Sequence, residues 1–140
     1  MSPSATSRKP KQGERGTAMI EFGLAFLVFF TVMYGVMEFS RIVASYNIIS
    51  GAAREGARYA IVHGSASGSA ATESGIQDVV RKWAVGLDKS SVLVTTTWTP
   101  GNGPGSEVKV AASYTVSPFT RLILKKGITL KSSSRMTISQ

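Results

Sequence analysis

The stretch that decides the fold is Arg15 to Phe39, "RGTAMIEFGLAFLVFFTVMYGVMEF", in which Phe22 to Met37 are sixteen residues without a charge. A helix rises about 1.5 Å per residue, so these sixteen cover roughly 24 Å of a hydrocarbon core about 30 Å thick. A comfortable span must therefore take in Thr17 to Glu21 on one side and reach Phe39 on the other, over about residues 18 to 39. Glu21 is thereby carried to the inner boundary of the membrane.

Charge placement gives the orientation. Residues 1 to 16 hold Arg8, Lys9, Lys11 and Arg15 against the single acid Glu14. Positive charge just before an apolar span keeps that end in the cytoplasm, so the chain beyond the span is expected to be exported. The leader, "MSPSATSRKPKQGERG", is polar, basic and rich in Ser, Pro and Gly, the composition of a disordered segment. The whole chain of 140 residues carries a net charge of +8, but no later stretch interleaves a basic block with aromatics, so nucleic acid is not an expected partner. Reading Met1 to Ala44 as a secretory signal peptide is a third alternative, disfavoured by its overlong apolar core and by Glu38 and Arg41 beside the poor cleavage site "IVAS".

Beyond Phe39 the helix continues. "SRIVASYNIISGAAREGARYAIVHG" has no proline, and Ile42, Tyr46, Ile49, Ala53, Gly56, Ala57 and Ala60 recur at spacings of three and four. Thr17 to Val62 is then one helix of about 69 Å, half in the membrane and half past it, with Gly64 as its stop. "GSASGSAA" is a flexible link. Thr72 can cap a short second helix, whose Ile76, Val79, Val80 and Trp83 fall at i, i+3, i+4 and i+7, and Gly86 ends it.

From Ser91 the period changes to two. "SVLVTTTWT" puts Val92, Val94, Thr96 and Trp98 on one face, and "EVKVAASYTV" does the same with Val108, Val110, Ala112, Tyr114 and Val116. "PGNGPG" between them is a turn, and a third strand is expected from Ile128 to Ile138 after a connection with a helical turn at Thr120 to Leu124. Three neighbouring strands favour an antiparallel meander with one apolar face, which the two helices would cover. The expected class is α+β and pilin-like: a long N-terminal helix packed on a small antiparallel sheet of about three strands with one short helix. The organisation is a leader over 1–16, the helix over 17–63 and an exported globular domain over 64–140.

Two features of the helix surface stand out. Phe22, Phe26, Phe29, Phe30, Met33 and Met37 form a bulky ridge with no domain beside it, so it must face lipid or other helices. Ala52, Gly56 and Ala60, with Ala53 and Ala57 beside them, form a small-residue stripe that lets backbones approach closely, most simply the protein's own sheet. Arg54 and Arg58, with Glu55, and the pair Glu38 and Arg41 read as solvated helix decoration.

Chemistry is sparse. There are no cysteines, and the one histidine, His63, has no metal-ligand constellation around it, so neither a metal nor a cofactor is expected. No nucleophile with a base, no phosphate-cradling loop and no carboxylate pair of defined separation appears, which argues against an enzyme.

The junction itself, Gly16, Thr17, then Glu21 and Phe22 opening an apolar helix, resembles the processing site of type IV pilins and pseudopilins. The resemblance implies a cut by a prepilin peptidase between Gly16 and Thr17, with the glutamate fifth in the mature chain. Cleavage would free an ammonium at Thr17 one turn from Glu21. A charge left unpaired at the centre of a bilayer costs about 2.5 to 3.5 kcal/mol on insertion scales, so an ion pair with the amine of the same or a neighbouring subunit would fix axial register. "RGTAMIEFGLAFLVFFTVMYGVMEFSRI" followed by "GAAREGARYAIVHG" resembles more narrowly the TadE-like family, the minor pseudopilins of the tight-adherence (Flp) type IV pilus. That resemblance implies the bacterial inner membrane, other pilin subunits, the inner-membrane assembly platform and membrane lipid as surroundings, and a role in pilus assembly. A membrane-anchored binding module and a type II secretion pseudopilin are the alternatives.

Overall fold

The computed structural model describes residues 12–118 and 127–139. Its elements run α1 (Gln12–Val62), α2 (Glu73–Trp83), a single 3-10 turn (Lys89–Ser91), β1 (Val92–Thr99), β2 (Glu107–Val116) and β3 (Ile128–Thr137). The chain divides into two compact units, Met1–Met37 and Glu38–Gln140, and α1 contributes to both. The architecture is the expected one, a long helix with one short helix and a three-stranded antiparallel sheet.

The sheet is a meander in the order β1-β2-β3. Val92 to Thr99 pair with Tyr114 to Glu107, and Glu107 to Val116 pair with Thr137 to Ile128. Because side chains alternate along a strand, that register sends Val92, Val108, Val110, Ala112, Val116 and Leu130 to one face, where they are buried. Leu93, Thr95, Lys109, Ser113, Lys131 and Arg135 stand on the other face. β1 begins one residue later than expected, because Asp88 caps the 3-10 turn by accepting hydrogen bonds from the Ser90 amide at 3.1 Å and from the Ser90 and Ser91 hydroxyls at 2.7 Å each. Those bonds stabilise the ionised carboxyl and lower its pKa.

The small-residue stripe of α1 packs inside the second unit. Ile49, Ala52, Ala53, Ala57 and Ala60 are all buried in one core with Ile76 and Val80 of α2 and Val108 and Val110 of β2. Gly56 shows how close the approach is: a Cβ there would lie 2.5 Å from Val80 Cγ2 and 3.3 Å from Val110 Cγ1. Close packing therefore explains why this stripe is built from Ala and Gly.

α2 begins where its cap predicts, with the Thr72 hydroxyl accepting from the Gly75 amide at 3.1 Å. Its Ile76 and Val80 are buried, whereas Trp83, which the same stripe extends to, is 55% exposed. α2 runs antiparallel to the neighbouring part of α1: Gly75 lies beside Tyr59, Ile76 and Val80 beside Gly56, and Gly86 and Leu87 share a depression with Arg41 and Ser45.

Fastenings at the far end of the unit close the fold. The Ser65 amide donates to the Asn102 carbonyl at 2.8 Å, the Ala71 amide to His63 at 2.6 Å, and the Ser139 amide and hydroxyl both to Ile61. His63 stacks on Tyr59, ring centroids 4.2 Å apart, and its Nδ1 lies 3.0 Å from the Tyr59 carbonyl, a structural role. Residues 1–11 of the expected leader and the expected helical turn at 120–124 lie outside the described residues.

Candidate assembly and processing site

Gly16 and Thr17 stand within helical backbone, since α1 starts at Gln12 rather than at Thr17. Gly13 and Gly16 are the weakest helix formers near this start, and a single glycine costs only about 1 kcal/mol there. Both partners of the expected cut are exposed, and a Cβ at Gly16 would meet nothing within 4 Å.

Glu21 is exposed and lies one helical turn after Thr17. A chain that began at Thr17 would place this carboxylate in the first turn of its helix. There the four unsatisfied amide groups and the positive end of the helix dipole favour an anion, in addition to any ammonium. A carboxylate so placed can pair with a cation one turn away.

The bulky residues of the ridge share one side of α1. At about 100° per residue, Phe22, Phe26, Phe29, Phe30, Met33 and Met37 fall within an arc of about 100°, while Thr17 and Glu21 point away from it. The rings contact in file, with centroids 6.0 Å apart for Phe22 and Phe26 and 4.3 Å for Phe26 and Phe30, and Phe29 meets Phe30 edge-on at 5.6 Å. All six side chains are exposed, from 48% at Phe30 to 69% at Phe22. Burying such a side chain is worth about 1.5 to 3 kcal/mol, so an apolar environment is the natural state of this surface. Midway along, the Thr31 hydroxyl donates to the Leu27 carbonyl at 2.8 Å, which lowers its cost in lipid. Among the described residues, α1 is one helix long and apolar enough to cross a membrane.

The small residues Ala53, Gly56, Ala57 and Ala60 stand apart from this surface. They are buried in the second unit's own core, where they pack against α2 and β2.

One functional-looking residue escapes sequence reasoning. Arg41 Nη2 is 3.2 Å from Glu38 Oε1 and also donates to the carbonyl of Ser117, at the end of β2. The spacing of Glu38 and Arg41 is visible in sequence, but Ser117 is 76 positions away. Beside them the buried Ser45 hydroxyl donates to the Arg41 carbonyl at 2.9 Å. The other ion pairs, Arg58 with Glu55 and Arg135 with Glu107, are exposed at 3.6 Å and contribute little.

Among the described residues no group of three or more His, Asp or Glu side chains could hold a metal ion. The outer face of the sheet carries an open trough of small residues, Thr95, Ala111 and Ser113, bordered by Lys109 and Lys131.

Comparison with curated proteins and with solved structures returns no match. Residues 16–58, which hold the junction, the ridge and the start of the packed stripe, match the family model of the TadE-like proteins, the family that this stretch resembles.

Proposed function

We propose that this chain is a minor pilin or pseudopilin subunit of a Tad (Flp) type IV pilus, which primes or caps assembly after a prepilin peptidase removes Met1 to Gly16. The observation that carries the reading is the exposed junction Gly16, Thr17 and Glu21 at the head of an aromatic ridge that no part of the described chain covers. The TadE-like match over that same segment supports it. In this reading α1 anchors the subunit in the bacterial inner membrane, leader in the cytoplasm and Glu38–Gln140 exported. The ridge then passes from lipid to neighbouring pilin helices under the action of the assembly platform. The protein is a structural subunit without catalytic activity.

Glu21→Ala separates assembly from anchoring. The variant should remain in the membrane fraction while pilus number falls sharply, because insertion needs only the apolar run and register needs the carboxylate. Normal pilus numbers in cells carrying only this variant would remove the ion-pair argument.

The trough between Lys109 and Lys131 favours a second reading, an anchored binding module that never enters a filament. Sheared, purified pili decide: the subunit is present in them under the first reading and absent under the second.

A further inference from the structure

The outer face of the sheet is polar and carries charge that the fold does not consume. The register sets Thr95, Ala111 and Ser133 side by side across the three strands. On one side of that row stand Lys109 and Arg135, on the other Ser113 and Lys131. Rows on one face are two residues apart along each strand, so the two flanking rows lie about 13 Å from each other. Short side chains between long ones make a trough across the strands. Its volume of about 400 Å³ falls in the range of roughly 300 to 1,000 Å³ for small-molecule sites. Its two ends fall on β1 and β3, the edge strands, beyond which no further described strand closes it.

The lining says what fits. Among the strand residues of this face Glu107 is the one acid, and it lies 3.6 Å from Arg135 and offsets that charge. Lys109 and Lys131 have no carboxylate partner among the described residues, so the trough keeps two cations. The backbone of β2 is paired on both sides, which leaves the floor with side-chain groups alone. These include the hydroxyls of Thr95, Ser113 and Ser133, each able to donate and to accept. Leu93, 68% exposed, adds an apolar contact at the rim. A ligand that complements this set carries anions, hydroxyls and C–H surface together. An extended acidic peptide gains its affinity along a free strand edge and would run with the strands, whereas the trough crosses them. A nucleic-acid strand stacks its bases on rings, and no aromatic side chain lines the trough.

We propose that the trough binds a linear acidic polysaccharide, with carboxylates on Lys109 and Lys131, hydroxyls on Thr95, Ser113 and Ser133, and the C–H face of a sugar ring on Leu93. This gives a ligand class to the trough on which the binding-module reading above rests, and it stands whether or not the subunit also enters a filament.

The test is equilibrium binding of the full chain, in detergent micelles, to fluorescently labelled polygalacturonate. Polygalacturonate should bind, and its fully methyl-esterified form, the same backbone without the charge, should not. Lys109→Gln with Lys131→Gln should weaken binding about tenfold or more, because both charge-assisted contacts are lost. Lys82→Gln with Lys89→Gln removes the same net charge away from the trough and should leave binding within about twofold. Thr95→Val with Ser133→Ala keeps every charge and should still weaken binding several-fold. Three results overturn the proposal. Absence of binding to polygalacturonate would leave the trough without this ligand. Equal losses from the two lysine pairs would assign the attraction to the net charge of +8. Polyglutamate bound as tightly as polygalacturonate, with no effect of the hydroxyl variants, would assign the trough to acidic peptides. Presence of the subunit in sheared pili would remove the non-filament reading and leave these outcomes untouched, so the two fail separately.

Discussion

Gly56→Ala sets two effects of known sign against each other. In the middle of a helix, alanine is preferred to glycine by about 0.8 to 1.0 kcal/mol. Here, however, the new methyl would sit 2.5 Å from Val80 Cγ2, against an ordinary carbon contact of about 3.5 to 4.0 Å. Valine is stiff at χ1, and Val80 is itself wholly buried, so it cannot swing clear. The methyl is also 3.3 Å from Val110 Cγ1 and 3.5 Å from Ile76 Cγ2, so withdrawal from Val80 is blocked on the sheet side as well. Overpacking of this kind costs about 1 to 3 kcal/mol, which leaves a net destabilisation of up to about 2 kcal/mol after the propensity gain. Gly51→Ala is the matched control in the same helix, where a Cβ would meet nothing within 4 Å, and it should stabilise by about 1 kcal/mol. Denaturant unfolding of the full chain in detergent micelles, followed by tryptophan emission, reads both variants. If Gly56→Ala raised the midpoint as much as Gly51→Ala does, the close approach of α1 to α2 and β2 would be wrong.

Two further variants test local claims. Thr72→Ala removes the cap that accepts from Gly75 and should cost about 1 kcal/mol in the same unfolding experiment, with α2 amides exchanging sooner; unchanged exchange there would contradict the capping role. Arg41→Ala removes the donor to Ser117 and the partner of Glu38, and since the arginine is partly exposed the loss should be about 1 kcal/mol, concentrated at the end of β2; amide protection near Val116 that did not change would deny the clasp.

What could be read from the sequence was whatever repeats with a period. The 3.6-residue stripe from Ile49 to Ala60 and the alternation in β1 and β2 are burial patterns, so the core of the second unit was visible before any coordinates. The apolar ridge of α1 was visible for the same reason, as bulky residues recurring at helical spacing. Three features were not legible. The bond from Arg41 to Ser117 joins residues 76 positions apart and repeats nothing. Trp83 extends the apolar spacing of α2, yet local pattern cannot tell where a helix runs past the end of what it packs on, so its exposure appears only in three dimensions. The early start of α1 at Gln12 reflects the readiness of a helix to extend through single glycines, which a leader of disordered composition conceals.

The central claim is that the chain is a processed subunit whose working N-terminus is Thr17. Intact-mass measurement after co-expression with a matching prepilin peptidase tests it most directly. The account predicts a product lacking Met1 to Gly16 and beginning at Thr17; a chain that keeps those sixteen residues in the presence of active peptidase would contradict it.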